Sequence, residues 1–290
     1  MNDMPEFAGL RDYPLARRGF VMTSLISGFT LATQRAEAQA IRTDTNGIDA
    51  GEAQIPVQGG SLPAYFARPA SGANFPVIIV NEEIFGVHEY IADICRRLAK
   101  VGFMAVAPEY YARIADVSKI TDVKQIVSEV ISKEPDAQYM ADADAAVAWA
   151  GANKGDPTRL GVTGFCRGGR MTWLFAAHNA QVKAAVAWYG PLLGTTSPIQ
   201  PHTASDVVEQ IKCPLLGLYS GQDQSSPPEA IKAAEAKAKA AGKTVEFVIY
   251  PDAPHGFHAD YRPSYRKADA EDGWKRMLAW FRHYGVAPAA

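Results

Sequence analysis

Apolar positions along the chain fall into runs with two different periods. Residues 53–57 and 62–68 read as two strands on either side of Gln58-Gly59-Gly60-Ser61, the signature of a β-hairpin. From Pro76 the pattern changes. Val77-Ile78-Ile79-Val80 is uninterrupted, as a strand buried on both faces requires, and residues 88–101 place Ile91, Ile94, Cys95 and Leu98 at helical spacing before Gly102. Similar reasoning predicts a strand at 103–107, helices at 117–132 and 136–152, a strand at 160–165, a helix at 168–177 and a strand at 184–188. It continues with strand 215–219, helix 228–241, strand 245–250 and a closing amphipathic helix at 268–284. Strands separated by helices of this length form βαβ units. The expected fold class is therefore α/β: a mostly parallel central sheet with helices on both faces, a three-layer α/β/α sandwich.

The first forty residues break this pattern. Arg17-Arg18 precedes the mildly apolar run from Gly19 to Leu31, and Ala36-Glu37-Ala38-Gln39-Ala40 follows. A basic region, a short apolar stretch and small residues at alternate positions are what a signal peptidase needs, and the paired arginines resemble a twin-arginine export signal. Residues 1–40 are thus expected to be a cleaved leader, and 41–290 a single domain exported to the periplasm, with no stable membrane anchor after cleavage. The chain has 290 residues, 48% of them apolar, enough for a sizeable core. Its 29 basic and 31 acidic side chains give a net charge of −2, and the leader carries four of each sign. Such a balance offers no general attraction for nucleic acid or an anionic membrane, and a small molecule is the expected partner. Cys95, Cys166 and Cys213 form no C-x-x-C pair, so neither a disulfide framework nor a zinc site is indicated.

One of these cysteines stands apart. Gly164-Phe165-Cys166-Arg167-Gly168-Gly169 lies between a predicted strand and a predicted helix, a nucleophile elbow with sulfur in place of oxygen. Such a turn needs small residues two positions either side of the nucleophile, because the backbone passes them closely. It also sets the thiol at a helix N-terminus, where the dipole favours a thiolate. Strand 215–219 runs into Ser220-Gly221-Gln222-Asp223, and strand 245–250 into Pro251-Asp252-Ala253-Pro254-His255. Both polar residues follow strand carboxyl ends, the edge at which parallel sheets gather catalytic groups. Nucleophile, acid and base come in the α/β-hydrolase order. The candidate triad is Cys166, His255 and Asp223: the imidazole takes the thiol proton, and Asp223 holds the other ring N–H.

These segments resemble the dienelactone hydrolase (carboxymethylenebutenolidase) family across essentially the whole chain after the leader. The matching stretches are Asn81-Glu82-Glu83-Ile84-Phe85-Gly86-Val87, Ala107-Pro108-Glu109-Tyr110-Tyr111-Ala112-Arg113, the Cys166 elbow, Trp188-Tyr189-Gly190, Gly221-Gln222-Asp223 and Ala253-Pro254-His255-Gly256-Phe257. The resemblance implies cleavage of a lactone or activated ester through an acyl-thiol intermediate, without cofactor or metal. It further implies that Glu83 is an auxiliary acid beside the thiol, and that the backbone N–H groups of Ile84 and Arg167 form an oxyanion hole. Family members hold a substrate carboxylate with arginines, one of them four residues after the catalytic histidine. Here that position is Ala259, and the nearest arginine is Arg262; Arg167 and Arg170 beside the elbow are the other cations at hand.

Around this site Phe85, Tyr110, Trp188, Tyr189 and Phe257 are candidate pocket aromatics. Cys95 and Cys213 read as core residues. His88, His178, His202 and His283 read as surface or helix-face positions, and His258, with Asp252 and Asp260 nearby, has only loose metal-ligand spacing. Alternative functions are a broad carboxylesterase acting on neutral esters, by the same triad or through Ser220 or Ser225, and a binding or redox-responsive thiol protein without turnover.

Overall fold

The computed structural model describes residues 40–288, so the expected leader and its paired arginines lie outside the described residues. Eight strands form one sheet: β1 (Ile48–Val57), β2 (Gly60–Pro69), β3 (Phe75–Asn81), β4 (Met104–Pro108), β5 (Gly155–Phe165), β6 (Val182–Trp188), β7 (Leu215–Ser220) and β8 (Val245–Tyr250). Their spatial order is β1-β2-β4-β3-β5-β6-β7-β8. β1 pairs with β2, and β2 with β4, antiparallel; every other neighbour is parallel.

The five longer helices are α1 (Glu89–Lys100), α2 (Asp136–Ala152), α3 (Arg167–His178), α4 (Pro228–Ala240) and α5 (Lys267–His283). They divide between the two faces, giving the expected three layers. Val77 and Ile79 of β3 pack with side chains of α2, α3 and α4, whereas Ile78 and Val80 pack with α1 and α5. Alternation along a strand sends successive side chains to opposite faces, which is why a strand covered on both sides reads as a continuous apolar run.

Two elements differ from expectation. The hairpin turn is shorter, because β1 and β2 pair as far as Val57 and Gly60. Residues 117–132 do not form one helix: a short turn at Val117–Lys119 is followed, after residues 120–122, by a helical run whose hydrogen-bond spacing changes from Val123–Gln125 through Ile126–Val130 to Ile131–Lys133. The side chains of Asp116 and Asp122 accept hydrogen bonds from the backbone N–H groups of Ser118 and Lys124, starting a fresh turn each time. Competition of this kind, together with β-branched residues at 117, 120, 121, 123, 126, 127, 130 and 131, outweighs the apolar periodicity.

Register brings the functional segments level. Asn81 lies opposite Gly164, Phe165 opposite Trp188, and Ser220 opposite Tyr250, so the segments that follow β3, β5, β6, β7 and β8 all leave the sheet at its carboxyl edge. Among the described residues no helix is long and apolar enough to cross a membrane.

Candidate active site

Cys166 caps the N-terminus of α3 with φ 56° and ψ −120°, a backbone conformation that L side chains rarely adopt. The turn is held at both ends: the Cys166 N–H donates to the Trp188 carbonyl at 3.1 Å, and the Gly169 N–H donates to the Cys166 carbonyl at 2.9 Å. Its flanking glycines are steric necessities. A Cβ on Gly164 would sit 2.2 Å from the Gly168 carbonyl oxygen, and one on Gly168 would sit 2.3 Å from that of Asn81. The thiol itself is half-buried, unlike Cys95 and Cys213, which lie in the core.

Beyond β8, His255 points Nδ1 at Asp223 Oδ2 beyond β7, 2.6 Å away. Asp223 is further tied by the Ser225 N–H, which donates to its Oδ1 at 2.8 Å. Burial would raise the Asp223 carboxyl, but His255 and Ser225 outweigh it and hold the group below the usual range. His255 is pushed up to about 10: burial works against its charged form and is overcome by the charge of the Cys166 sulfur, a hydrogen bond to that sulfur, and Asp223. The imidazole is thus favoured as a cation between the Cys166 sulfur and the Asp223 carboxylate. Ser220, by contrast, has a buried hydroxyl with no hydrogen-bond partner among the described residues.

The loop after β3 carries Glu83, which is fully buried. Tyr261 donates its hydroxyl to Glu83 Oε2 at 2.6 Å, His88 Nε2 lies 3.2 Å from the same oxygen, and the Arg262 guanidinium is 3.6 Å from Oε1. Burial alone would raise this acid; Arg262, His88 and Tyr261 bring it down to about 2. Arg262 also lies over the rings of Phe85 and Tyr261, and its positive charge is favoured by Tyr261, Glu83 and the Cys166 sulfur once burial is overcome. Arg262, three residues beyond Ala259, is thus engaged by Glu83 and Tyr261.

Glu82 turns the other way. It accepts the Tyr110 N–H at 2.9 Å and hydrogen-bonds the carboxyl of Glu109, which in turn accepts the Val87 N–H at 2.7 Å. Burial raises both acids, Glu82 far above the usual range and Glu109 to about 7. Like charges this close favour a shared proton. The pair staples the Glu83 loop to the end of β4.

Among the described residues, neither the Ile84 N–H nor the Arg167 N–H donates to a protein acceptor. Of the candidate aromatics, Tyr189 stacks edge-on against His255, centroids 5.2 Å apart, and Phe85 sits beside His88 and Arg262. Tyr110, Trp188 and Phe257 are buried in the core; Tyr110 donates its hydroxyl to Asn81, while Trp188 and Phe257 pack against each other beneath the site.

One histidine departs from expectation. His88 is a buried partner of Glu83, not a surface residue. His258 is a core histidine: its Nδ1 meets the Tyr90 hydroxyl at 2.7 Å, it packs on Trp188, and burial with Arg97 nearby keeps it neutral. Among the described residues no group of His, Cys, Asp and Glu could hold a metal. His88, Tyr261 and Arg262 escaped sequence reasoning because their link to Glu83 has no local period; the one available signal was an arginine shortly after His255.

Comparison with known proteins fits this geometry. The model of the "Dienelactone hydrolase family" matches residues 62–285. A protein of Methylorubrum extorquens named "Putative carboxymethylenebutenolidase" is 59% identical over 275 residues, covering 94% of this chain and 94% of its own. One of the same name from Escherichia coli K12 is 50% identical over 264 residues, covering 91% and 97%. A crystal structure from Klebsiella pneumoniae titled "Putative Dienelactone Hydrolase" superposes with a TM-score of 0.80 at 50% identity, covering 82% of this chain and 99% of the other.

Proposed function

This chain belongs to the dienelactone hydrolase family of hydrolases, and from that premise we propose that it cleaves a lactone or activated ester through a Cys166-His255-Asp223 triad and an acyl-thiol intermediate. The observation that carries the reading is His255 itself, bound at Nδ1 to Asp223 and paired with the Cys166 sulfur at the elbow.

Cys166 Sγ, as thiolate, attacks the carbonyl carbon. The oxyanion is met by the N–H groups of Arg167 and Ile84, both free of other protein acceptors, and the positive end of α3 adds to their effect. Collapse breaks the acyl–oxygen bond, and the departing oxygen takes the proton from the His255 imidazolium. A water then gives its proton back to His255 and attacks the thioester, releasing the acid and restoring the thiolate. Asp223 keeps Nδ1 protonated and oriented throughout. Glu83 is the auxiliary acid; held as a carboxylate beside Arg262, it contributes fixed negative charge near the thiol. A thiolate is a good leaving group, suited to activated esters and lactones and poorly matched to amides.

Incubation with an aryl acetate, following phenol release and intact mass together, tests the reading. Wild type is expected to release phenol at least about 10³-fold faster than Cys166→Ala and to show an acetyl adduct on Cys166. Equal rates in the two proteins would sink it, in favour of a serine-based esterase or of a thiol that binds or responds to oxidants without turnover. The leader places the enzyme in the periplasm by the twin-arginine route; retention in the cytoplasm on replacing Arg17 and Arg18 by lysine is the expected outcome of fractionation.

A further inference from the structure

Two carboxyl groups at the loop after β3 each have one oxygen engaged and one open. Glu82 Oε1 accepts the Tyr110 N–H at 2.9 Å, and Glu109 Oε2 accepts the Val87 N–H at 2.7 Å. Glu82 Oε2 and Glu109 Oε1 are shielded from solvent and accept from no donor among the described residues. The two carboxyls nevertheless lie within hydrogen-bond reach of each other, and the open oxygens are the ones left for that contact. Two carboxylates have acceptors only, and buried polar groups are normally satisfied. A single proton between the two satisfies both.

The contacts are reciprocal. Glu82 precedes the turn Glu83-Ile84-Phe85-Gly86 and Val87 follows it, while Glu109 and Tyr110 are adjacent just past β4, so each segment gives the other one carboxyl and one N–H. The turn is tight: the Gly86 N–H points at the Glu83 carbonyl, 3.4 Å away. Gly86 sits at φ 78°, and a Cβ there would come within 2.7 Å of Glu109 Oε1. Glu109 is fixed to the sheet in turn, because its N–H donates to the Pro63 carbonyl of β2 at 2.8 Å. On the other side the Glu82 carbonyl lies against the elbow, where a Cβ on Gly168 would be 2.5 Å from it. Ile84 therefore occupies a turn clamped at both ends, next to a residue that packs on the nucleophile elbow.

Taking the triad reading above as its basis, we propose that Glu82 and Glu109 are positioning residues that share one proton, and that this proton lock holds the Ile84 N–H where it meets the oxyanion formed at Cys166. Both act through the turn. With the proton in place one carboxyl donates to the other and the turn is closed; without it two buried carboxylates face each other, and their repulsion pushes the turn away from the end of β4. The surroundings favour keeping the proton. Burial is the main cause for both acids; Glu109 and Glu134 further raise Glu82, and Asp116, itself paired with Lys119 at 2.9 Å, raises Glu109. The Tyr110 and Tyr111 phenols near Glu82 are held neutral by burial. The N–H groups of Tyr110 and Val87 and, for Glu109, the hydrogen bond with Glu82 work the other way. Glu109 stands at about 7 and Glu82 far above the usual range, so the pair keeps at least one proton at neutral pH and loses the last one only as pH rises well beyond it.

Replacing the acids one at a time and together, with 4-nitrophenyl acetate as substrate, tests this. A glutamine at either position keeps its oxygen on the backbone N–H and offers an amide N–H to the remaining carboxyl. Glu82→Gln and Glu109→Gln are therefore expected to stay within about threefold of wild type in kcat/KM at pH 7, and to exceed it by about threefold or more at pH 10, where wild type has lost the shared proton. The double variant sets two amide NH2 groups face to face, and its kcat is expected to fall about 10²-fold with little change in KM. Alkylation of Cys166 by iodoacetamide, which forms a C–S bond and expels iodide without any oxyanion, should stay within about twofold of wild type in all three variants. The proposal is overturned if either single variant falls as far as the double, if the double matches the singles, if alkylation and hydrolysis fall together in the double, or if wild type and the singles share one pH profile; should the double variant not fold, that profile decides alone. In each case turnover that is lost in Cys166→Ala leaves the triad reading intact, and turnover that persists in Cys166→Ala removes both.

Discussion

Asp223 and Glu83 are both carboxylates in loops beyond strand ends at the carboxyl edge of the sheet, and both are held below the usual range, yet they are built in different ways. Asp223 depends on short connections: β7 and β8 are paired neighbours, and one residue on each following loop completes the contact. Glu83 is fully buried and gathers His88 from the start of α1 with Tyr261 and Arg262 from a loop almost at the other end of the chain. The first arrangement follows from topology. The second is a collective one, in which the cost of burying a charge is met by several partners at once, and removing any of them exposes that cost.

The difference can be broken at four points, from the largest expected effect to the smallest. Asp223→Asn should lower kcat/KM for an aryl ester by about 10³–10⁴-fold with little change in thermal midpoint, because it disturbs the tautomer of His255 and little else. Gly168→Ala forces a methyl group into the Asn81 carbonyl and should cost about 4 kcal/mol of stability, read by urea unfolding. Arg262→Met should cost about 3 kcal/mol by stranding the Glu83 carboxylate, whereas the double variant with Glu83→Gln should recover most of it. A double variant no better than the single one would show that Arg262 acts through its ring contacts rather than its charge.

Glu109→Gln has the smallest effect, and pH gives its sign. Glu109 rises from an ordinary 4.5 to about 7 in the folded chain, so between those values the native state holds a proton that the unfolded chain has released. Stability from this group is complete below about pH 4.5 and is lost as pH rises through about 7. The glutamine, permanently uncharged, should flatten that slope and gain about 1–2 kcal/mol at pH 8 with no gain at pH 4. Urea midpoints at the two pH values check it.

The same contrast explains what was legible in the sequence. Strand periodicity, the spacing of Gly164 and Gly168, and polar residues just past β7 and β8 are local signals, and they located the sheet edge with Cys166, His255 and Asp223. The Glu83 cluster is not local: Tyr261 lies 178 residues away, and no pattern in the chain announces that contact. His88 was misread for the same reason, since a histidine five residues from a glutamate carries no helical or strand period. Residues 117–132 failed differently, because side-chain caps at Asp116 and Asp122 outcompeted an apolar pattern that suggested one helix.

The backbone at Cys166 has one more implication, for durability instead of rate. A side chain held at φ 56° and ψ −120° weakens the fold, and glycine would occupy the same turn without that penalty, so Cys166→Gly should unfold at a higher temperature than wild type, by the equivalent of about 1 kcal/mol. The inert protein would be the sturdier one. If Cys166 is the nucleophile proposed above, selection for endurance alone would discard it, and its strained turn trades robustness for reactivity.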